Sequence, residues 1–180
     1  MNILETNLTR MFEEGFELGF ILISACRGSE DLMNKPRNEL FDKEKDLFKR
    51  LNNERTNNLK KDIKSQHLTF NEVDGGYIEE TGETVIESSF FIYNYDYTMD
   101  EPLYWQDFLN LGKLWCKKYN QDSFLWFDPQ TQSIHKGKIA PCYLDRDGRM
   151  VSNSFYGKIY NDVEQEYFTW YKNNRVTLQY

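Results

Sequence analysis

The chain has 180 residues and a formal net charge of −7, because 29 Asp and Glu residues outnumber 22 Lys and Arg residues. This length predicts one domain, and the 16% share of aromatic residues excludes an intrinsically disordered chain. The longest apolar runs have four residues, which excludes a membrane-spanning helix, and the acidic balance argues against broad, nonspecific binding to nucleic acid.

The cysteines and the N-terminal segment predict a cytoplasmic protein. Cys26, Cys116 and Cys142 form an odd set without CxxC spacing, which is typical of buried thiols in a reducing compartment. Residues 1–14 contain three glutamates and lack the basic start and apolar core of a signal or transit peptide. We therefore expect the mature chain to begin at Met1.

The N-terminal third predicts a helix, a buried strand and a long charged helical region. Apolar residues recur at helical spacing through residues 2–14, and Gly15 is the expected stop. The segment Phe20–Ile23 is apolar on every side, as in a strand covered on both faces, and its end opens into a loop. Pro36 suits the first turn of the charged helix. One continuous helix and two helices joined near residues 51–53, where Asn interrupts the pattern, both remain open.

The rest of the chain alternates at a period of two, with one helix in between. Two β-rich segments, from His67 to residue 76 and from residue 84 to 95, predict a hairpin that turns at residues 80–83. An amphipathic helix begins at Trp105 and continues to Tyr119.

The last third predicts mostly short strands. These are residues 124–127, 133–139, 142–144 and 155–160. The turn at residues 145–148 superficially resembles a calcium loop but lacks the twelve-residue ligand pattern, so we interpret it as a hairpin turn. Residues 162–172 predict a short closing helix.

Together these elements predict a single α+β domain. Its sheet is expected to be mixed, with the strand that begins at Phe20 buried at the centre, helices packed on it, and a C-terminal β meander.

The loop after the first predicted strand is the first candidate site. Ser24, Arg27 and Gly28 follow the strand closely, and hydroxyl, guanidinium and backbone N–H groups at the carboxyl end of a strand can hold an anion. The alternative is a plain turn in which Arg27 pairs with a surface carboxylate. Cys26 as a nucleophile lacks an evident histidine partner, which favours a packed thiol.

A second candidate is Glu87, which interrupts a β-rich segment. It groups with Glu79 and with the Asn-rich cluster of residues 52–58, and a carboxylate in a central strand needs a partner such as Arg55 or Arg27. A structural Arg–Glu pair closed under the sheet and a ligand-binding pair in a cleft remain open alternatives.

Signatures of common cofactor and metal sites are absent from the sequence. His67 and His135 have no partner at metal-ligand spacing, so we expect no metal site. The nucleotide, hydrolase and zinc-protease motifs GxGxxG, GxxxxGK[ST], GxSxG and HExxH do not occur, so we expect no cofactor.

Aromatic and acidic residues coincide in one segment. The rings alternate along a strand and continue into the next helix; they are Tyr93, Tyr95, Tyr97, Tyr104 and Trp105. One interpretation is a surface that binds a basic partner protein. The other is that these rings complete a core short of aliphatic residues.

Several short motifs occur in an order that resembles a known domain family. They are Phe-Ile-Leu-Ile-Ser-Ala at 20–25, Asn-Glu-Arg at 53–55, Val-Asp-Gly-Gly-Tyr-Ile-Glu at 73–79, Glu-Ser-Ser-Phe at 87–90 and Lys-Tyr-Asn-Gln-Asp-Ser at 118–123. Over residues 16–128 the chain is similar to a domain of unknown function found in tailed phages and bacteria.

The resemblance implies an α+β domain but no particular reaction. It implies that a set of polar side chains converges, namely Ser24, Arg55, Glu79, Glu87 and Gln121. Relative to that family, residues 28–51 are interpreted as a helical insertion and residues 129–180 as a β-rich C-terminal extension.

These observations lead to a main hypothesis and two alternatives. The main hypothesis is a small, soluble, phage-type accessory protein that acts by binding a host or viral protein. The first alternative is an enzyme or sensor that binds a nucleotide-like or phosphorylated small molecule, a small anionic ligand, at Ser24, Arg27, Arg55 and Glu87. The second is a structural component of a virion.

Overall fold

The computed structural model describes the backbone of residues 3–78, 84–130, 142–151, 159–160, 167–171 and 174–178, and the side chains of residues 10–75, 86–130 and 142–151. The helices are α1 (Ile3–Leu18), α2 (Ser29–Met33), α3 (Asp42–Ser65) and α4 (Trp105–Lys118), with a 3-10 helix at Arg37–Glu39. The strands are β1 (Phe20–Ser24), β2 (Leu68–Ile78), β3 (Thr84–Asp96), β4 (Ser123–Phe127), β5 (Cys142–Asp145), β6 (Ile159–Tyr160), β7 (Tyr167–Tyr171) and β8 (Asn174–Leu178).

The strands form one sheet in the order β5-β4-β1-β3-β2-β7-β8-β6. This arrangement confirms the predicted α+β domain. Each strand pairing in the described part of the chain is antiparallel, whereas the sequence predicted a mixed sheet. The sheet is antiparallel here because β2 and β3 form a hairpin and β1 runs antiparallel to β3, its neighbour in the sheet. Helices separate β1 from β2 in the chain, and these two strands are not neighbours in the sheet.

Strand β1 lies between β3 and β4 and is buried on both faces, as predicted. Ile21 and Ile23 belong to a core cluster shared with α3 and α4. Phe20, one residue earlier and on the opposite face, packs with Phe91 and with Phe12 of α1. Successive side chains of a strand point to opposite faces, so β1 supplies both cores.

Helix α1 continues past the stop that the sequence predicted at Gly15. A Cβ atom at Gly15 would lie 2.6 Å from Cζ of Phe91, so this glycine allows the helix to approach the sheet closely. The helix ends at Leu18, and Gly19 follows with φ of +90°, a left-handed conformation that favours glycine. The prediction that Gly15 ends the helix was therefore wrong.

Helix α3 is one continuous helix of 24 residues, which settles the alternative left open by its asparagines. It begins at Asp42, since Pro36 precedes the separate 3-10 helix. Leu59 and Ile63 bury its C-terminal half in the core. Packing of that half and contacts of Asn52, described below, outweigh the low helix propensity of asparagine.

The predicted hairpin and amphipathic helix are confirmed as β2–β3 and α4. The hairpin's expected turn at residues 80–83 and the strand expected at residues 133–139 lie outside the described residues. Strands β4 and β5 match the segments predicted at 124–127 and 142–144. The turn after β5 is also confirmed: Oδ1 of Asp145 accepts the amide hydrogens of Asp147 and Arg149 at 2.8 and 2.9 Å.

The C-terminal meander differs from the prediction in one element. Residues 167–171, expected within a closing helix, form strand β7, which pairs with β2 through Gly75 and Thr169. Their aromatic and β-branched residues favour a strand, and the long outer edge of β2 offers main-chain partners. The other residues of the expected helix, 162–166 and 172, lie outside the described residues, as do residues 155–158. Of the helices that the structure describes, none is both long enough and apolar enough to cross a membrane.

Candidate functional site

A cleft with a volume of about 420 Å³ lies between α3, the end of β1 and the start of β3. Six polar residues of α3 line it, together with Phe48. Four of the six recur at positions i, i+4, i+7 and i+11, namely Lys45, Lys49, Asn52 and Thr56, and the other two are Asp46 and Asn53. The spacing of the four places them on one stripe of the helix. Cys26 and residues 86–88 form the opposite wall, and Arg37 of the 3-10 helix completes the rim.

The charges in the cleft are separated along the helix. Lys45 and Lys49 lie at the end of the stripe nearer the N-terminus of α3, and Thr56 lies at the other end beside Cys26, with 3.6 Å between Sγ and Oγ1. Glu87, which is half-buried, lies on the Cys26 side, near enough that its charge contributes to the raised pKa of the thiol. The end formed by Lys45, Asp46 and Lys49 is therefore net positive and lies apart from the carboxylate of Glu87.

Ser24 and Cys26 hold the walls of the cleft together. The Ser24 hydroxyl donates to the carbonyl oxygen of Ser88 at 3.1 Å and accepts the amide hydrogen of Cys26 at 3.0 Å. Burial raises the pKa of Cys26, so the thiol form is favoured at neutral pH. This supports the interpretation of Cys26 as a packed wall residue rather than a nucleophile.

Arg55 and Gln121, both predicted as ligand-binding residues, donate hydrogen bonds to main-chain carbonyl oxygens. Nε of Arg55 donates to the carbonyl oxygen of Ala25 at 2.7 Å, and its guanidinium also donates to the carbonyl oxygen of Tyr119. Nε2 of Gln121 donates to the carbonyl oxygens of Cys26 and Tyr119 at 2.8 and 3.1 Å. Burial, and secondarily the charge of Arg27, lower the pKa of Arg55. These two side chains clamp the loop of residues 25–27 against the turn that follows α4.

Arg27 lies outside the cleft lining and is held in the same clamp. Its amide donates to Oδ1 of Asn52 at 2.9 Å, and its carbonyl oxygen accepts from Nδ2 of Asn52 at 3.0 Å. Its guanidinium pairs with Asp31 at 2.6 Å and with Asp122 at 3.3 Å. These contacts favour the alternative in which Arg27 pairs with surface carboxylates in a turn.

The structure brings most of the predicted set together but separates its roles. The loop of residues 25–27 includes Arg27 and is contacted by Ser24, Arg55 and Gln121. Among the predicted ligand-binding residues that the structure describes, Glu87 lines the cleft. Glu79 lies outside the described residues. The predicted Arg55–Glu87 pair is not among the ion pairs of the described residues, because the main-chain carbonyls occupy the guanidinium.

Sequence reasoning missed the cationic residues of the cleft. Lys45 and Lys49 lie on a helix whose polar residues looked like an ordinary solvated face. The available signal was their spacing with Asn52 and Thr56, which places all four on one stripe. The sequence did single out the Asn-rich cluster to which Asn52 belongs.

The segment of aromatic and acidic residues does not form one exposed surface. The rings of Tyr93 and Phe91 pack together, and Tyr93 is only 3% exposed, which favours the alternative that this ring completes the core. The hydroxyl of Tyr95 donates to Asp100. Tyr97 and Tyr104 are exposed, and the half-buried Trp105 contacts the ring of Tyr104.

A metal site finds no support among the residues that the structure describes. None of their His, Cys, Asp and Glu side chains forms a group of three that could hold an ion. His135, one of the two histidines considered in the sequence, lies outside the described residues.

Comparison with known proteins identifies a matching family, and that family is named after an enzyme activity. The model of the S-adenosylmethionine lyase family matches residues 21–174, from within β1 to the first residue of β8. No curated protein matches the chain significantly. The family match contradicts the hypothesis of an accessory protein that acts only by binding, and it favours the enzyme alternative.

Proposed function

Because the chain belongs to the S-adenosylmethionine lyase family, we propose that it is an enzyme that binds S-adenosylmethionine in the cleft beside α3 and cleaves one of its carbon–sulfur bonds. The observation that carries this proposal is the position of Glu87. It is the carboxylate of the opposite wall in a cleft whose volume is typical of a small-molecule site.

The lining of the cleft suits the parts of this substrate. S-Adenosylmethionine combines an adenosine, a sulfonium cation and an amino-acid end that carries both a carboxylate and an ammonium group. Glu87 supplies a negative charge for the sulfonium, the ring of Phe48 offers a face on which adenine can stack, and the amide of Asn53 can hydrogen-bond to the edge of the base. A cleft with both signs of charge is what a zwitterionic substrate requires.

The chemistry of a lyase indicates what Glu87 does. A lyase breaks the carbon–sulfur bond without adding water, and the electron pair of that bond stays on sulfur, so the sulfonium leaves as a neutral thioether. The carbon that loses sulfur forms a new bond in the same step, either a double bond after loss of a proton from its neighbour or a bond to an oxygen of the substrate's own carboxylate. The positive charge on sulfur therefore decreases toward the transition state. A carboxylate that faces the sulfonium stabilises the bound substrate more than the transition state, so Glu87 contributes mainly to substrate affinity.

The activity is tested with the purified full chain and S-adenosylmethionine. Chromatography follows loss of the substrate and appearance of a second adenine-containing product. A parallel reaction in ¹⁸O-labelled water is expected to leave the first-formed products unlabelled, since no water is added. Failure to consume substrate at equimolar protein would refute the proposal, and ¹⁸O in the first-formed products would indicate hydrolysis.

The role of Glu87 is tested by Glu87→Gln. We expect KM to rise about tenfold, as for loss of one charge-assisted contact, while kcat stays the same or rises by less than about threefold. Glu54→Gln is the matched control, because Glu54 is an exposed glutamate of α3 that does not line the cleft. A large fall in kcat at unchanged KM would contradict the binding role.

The setting of the enzyme stays a proposal as well. A cytoplasmic location is supported by the burial of Cys26, Cys116 and Cys142, which suits a reducing compartment. An origin in a tailed phage or a bacterium is supported by the order of sequence motifs that carries the resemblance described above.

A further inference from the structure

The rim of the cleft carries three positive side chains, which is more than would balance the single negative charge of Glu87. Lys45 and Lys49 lie one turn apart on α3, and Arg37 reaches the same rim from the 3-10 helix. Asp46 is the carboxylate that shares this end of the lining. The three cations and one carboxylate leave the rim positive in a chain whose net charge is −7.

Neighbouring carboxylates do little to neutralise the rim. The contact of Lys45 with Asp42 is long, at 3.9 Å, and the Asp42 side chain is fully exposed, so this pair is weak. Glu44 pairs with Lys35 at 2.7 Å and accepts the amide hydrogen of Phe41 at 2.9 Å. Among the described ion pairs, none involves Lys49 or Arg37.

We infer that this rim binds the α-carboxylate of the substrate and thereby selects ligands that carry the intact amino-acid end. The inference rests on the proposed function. Along α3, Lys49 lies seven residues, or about 10.5 Å, from Thr56, which is beside Cys26 at the Glu87 end of the cleft. The three carbon atoms that separate the sulfonium from the carboxylate of S-adenosylmethionine, together with the long side chain of Lys49, bridge this distance.

This orientation places the sulfonium near Glu87 and the carboxylate near the lysines, and Asp46 is the carboxylate at the same end that can pair with the neighbouring α-ammonium group. The reverse orientation would place the sulfonium beside Lys49, and that contact would be repulsive. The rim therefore sets the direction in which the amino-acid end of the substrate points.

The test uses two stable probes that differ at the inferred contact. S-Adenosylhomocysteine carries the carboxylate and has a neutral thioether in place of the sulfonium, whereas methylthioadenosine lacks the amino-acid end. The double variant Lys45→Gln with Lys49→Gln is compared with wild type by calorimetric titration at low and moderate salt. Lys43→Gln with Lys61→Gln is the control, because both are exposed lysines of α3 that do not line the cleft.

We expect the cleft double variant to bind S-adenosylhomocysteine about tenfold more weakly and methylthioadenosine within about twofold of wild type. Affinity for S-adenosylhomocysteine should also fall with salt in wild type and lose most of that dependence in the variant. The control double variant should match wild type for both probes.

Three results would overturn the inference, and they separate it from the proposed function. If wild type consumes S-adenosylmethionine but the cleft variant binds both probes normally, the rim does not hold the carboxylate. If the variant loses both probes equally, the lysines act on the cleft as a whole. If wild type binds neither probe and consumes no substrate, the proposed function fails and the inference fails with it.

Discussion

Arg55→Ala is expected to destabilise the fold rather than to remove a ligand contact. The guanidinium joins three elements, since it extends from α3 to the carbonyl oxygen of Ala25 after β1 and to that of Tyr119 after α4. Ala25 is fully buried, and Tyr119 is 4% exposed. The substitution therefore removes a clamp at the end of the strand on which the cleft depends.

The two carbonyls are affected differently, and this sets the magnitude. The carbonyl oxygen of Tyr119 retains a hydrogen bond from Nε2 of Gln121 at 3.1 Å, so it keeps one partner. The carbonyl oxygen of Ala25 loses the 2.7 Å contact from Nε of Arg55. A hydrogen bond to a charged group contributes about 1.5–3 kcal/mol, and an unsatisfied buried acceptor costs about 1–3 kcal/mol. We expect the free energy of unfolding to fall by about 2–4 kcal/mol.

Urea denaturation of wild type and variants measures this loss. Arg50→Ala, at an exposed arginine of the same helix, is the control and should change stability by less than about 0.5 kcal/mol. Arg55→Lys keeps the charge but not the fork of donors, so it should give an intermediate loss. A loss below about 1 kcal/mol for Arg55→Ala, together with loss of S-adenosylhomocysteine binding, would refute the clamp and restore Arg55 as a ligand residue.

Two further predictions concern packing and pH. Gly112→Ala should destabilise the protein, because the added Cβ atom would lie 2.6 Å from Cε2 of Phe124. Overpacking costs about 1–3 kcal/mol, which outweighs the gain in helix propensity of about 1 kcal/mol. A melting temperature equal to or higher than that of wild type would contradict this reasoning. The hydroxyl and the amide of Thr98 lower the pKa of Asp96 below its ordinary value of 3.8. The stability advantage of wild type over Asp96→Asn should therefore be present above that value and disappear as pH falls through the lowered pKa, and an advantage that is constant across acid denaturation curves would show that the charge of Asp96 is not responsible.

The elements that the sequence predicted well are those whose signal is local and repeated. Helix α4 was recognisable because its rings recur at spacings of three and four, and the β2–β3 hairpin because its alternation extends over many residues. Gly15 was misleading because glycine both ends helices and permits close packing within them. Only the position of Phe91, far away in the sequence, shows that packing is the reason here.

In the candidate site, too, features with a local sequence signal were predicted and features that depend on distant segments were not. Glu87 was identifiable because a carboxylate in a β-rich segment is unusual and needs an explanation. The partner of Arg55 was not identifiable, because main-chain carbonyls carry no sequence signal, and a buried arginine is as well satisfied by them as by a glutamate. The basic rim was missed because a lysine that lines a cleft and a lysine that faces solvent look alike in a sequence.

The sequence by itself determined the α+β class and the buried first strand, since these follow from hydrophobic period, whereas the set of polar side chains at the end of that strand was implied by the resemblance. The tertiary structure alone decided which of those side chains line the cleft and which clamp its wall. The physical reason is that a donor's role depends on the acceptor it meets, and here the acceptors come from segments separated by 30 to 95 residues of chain.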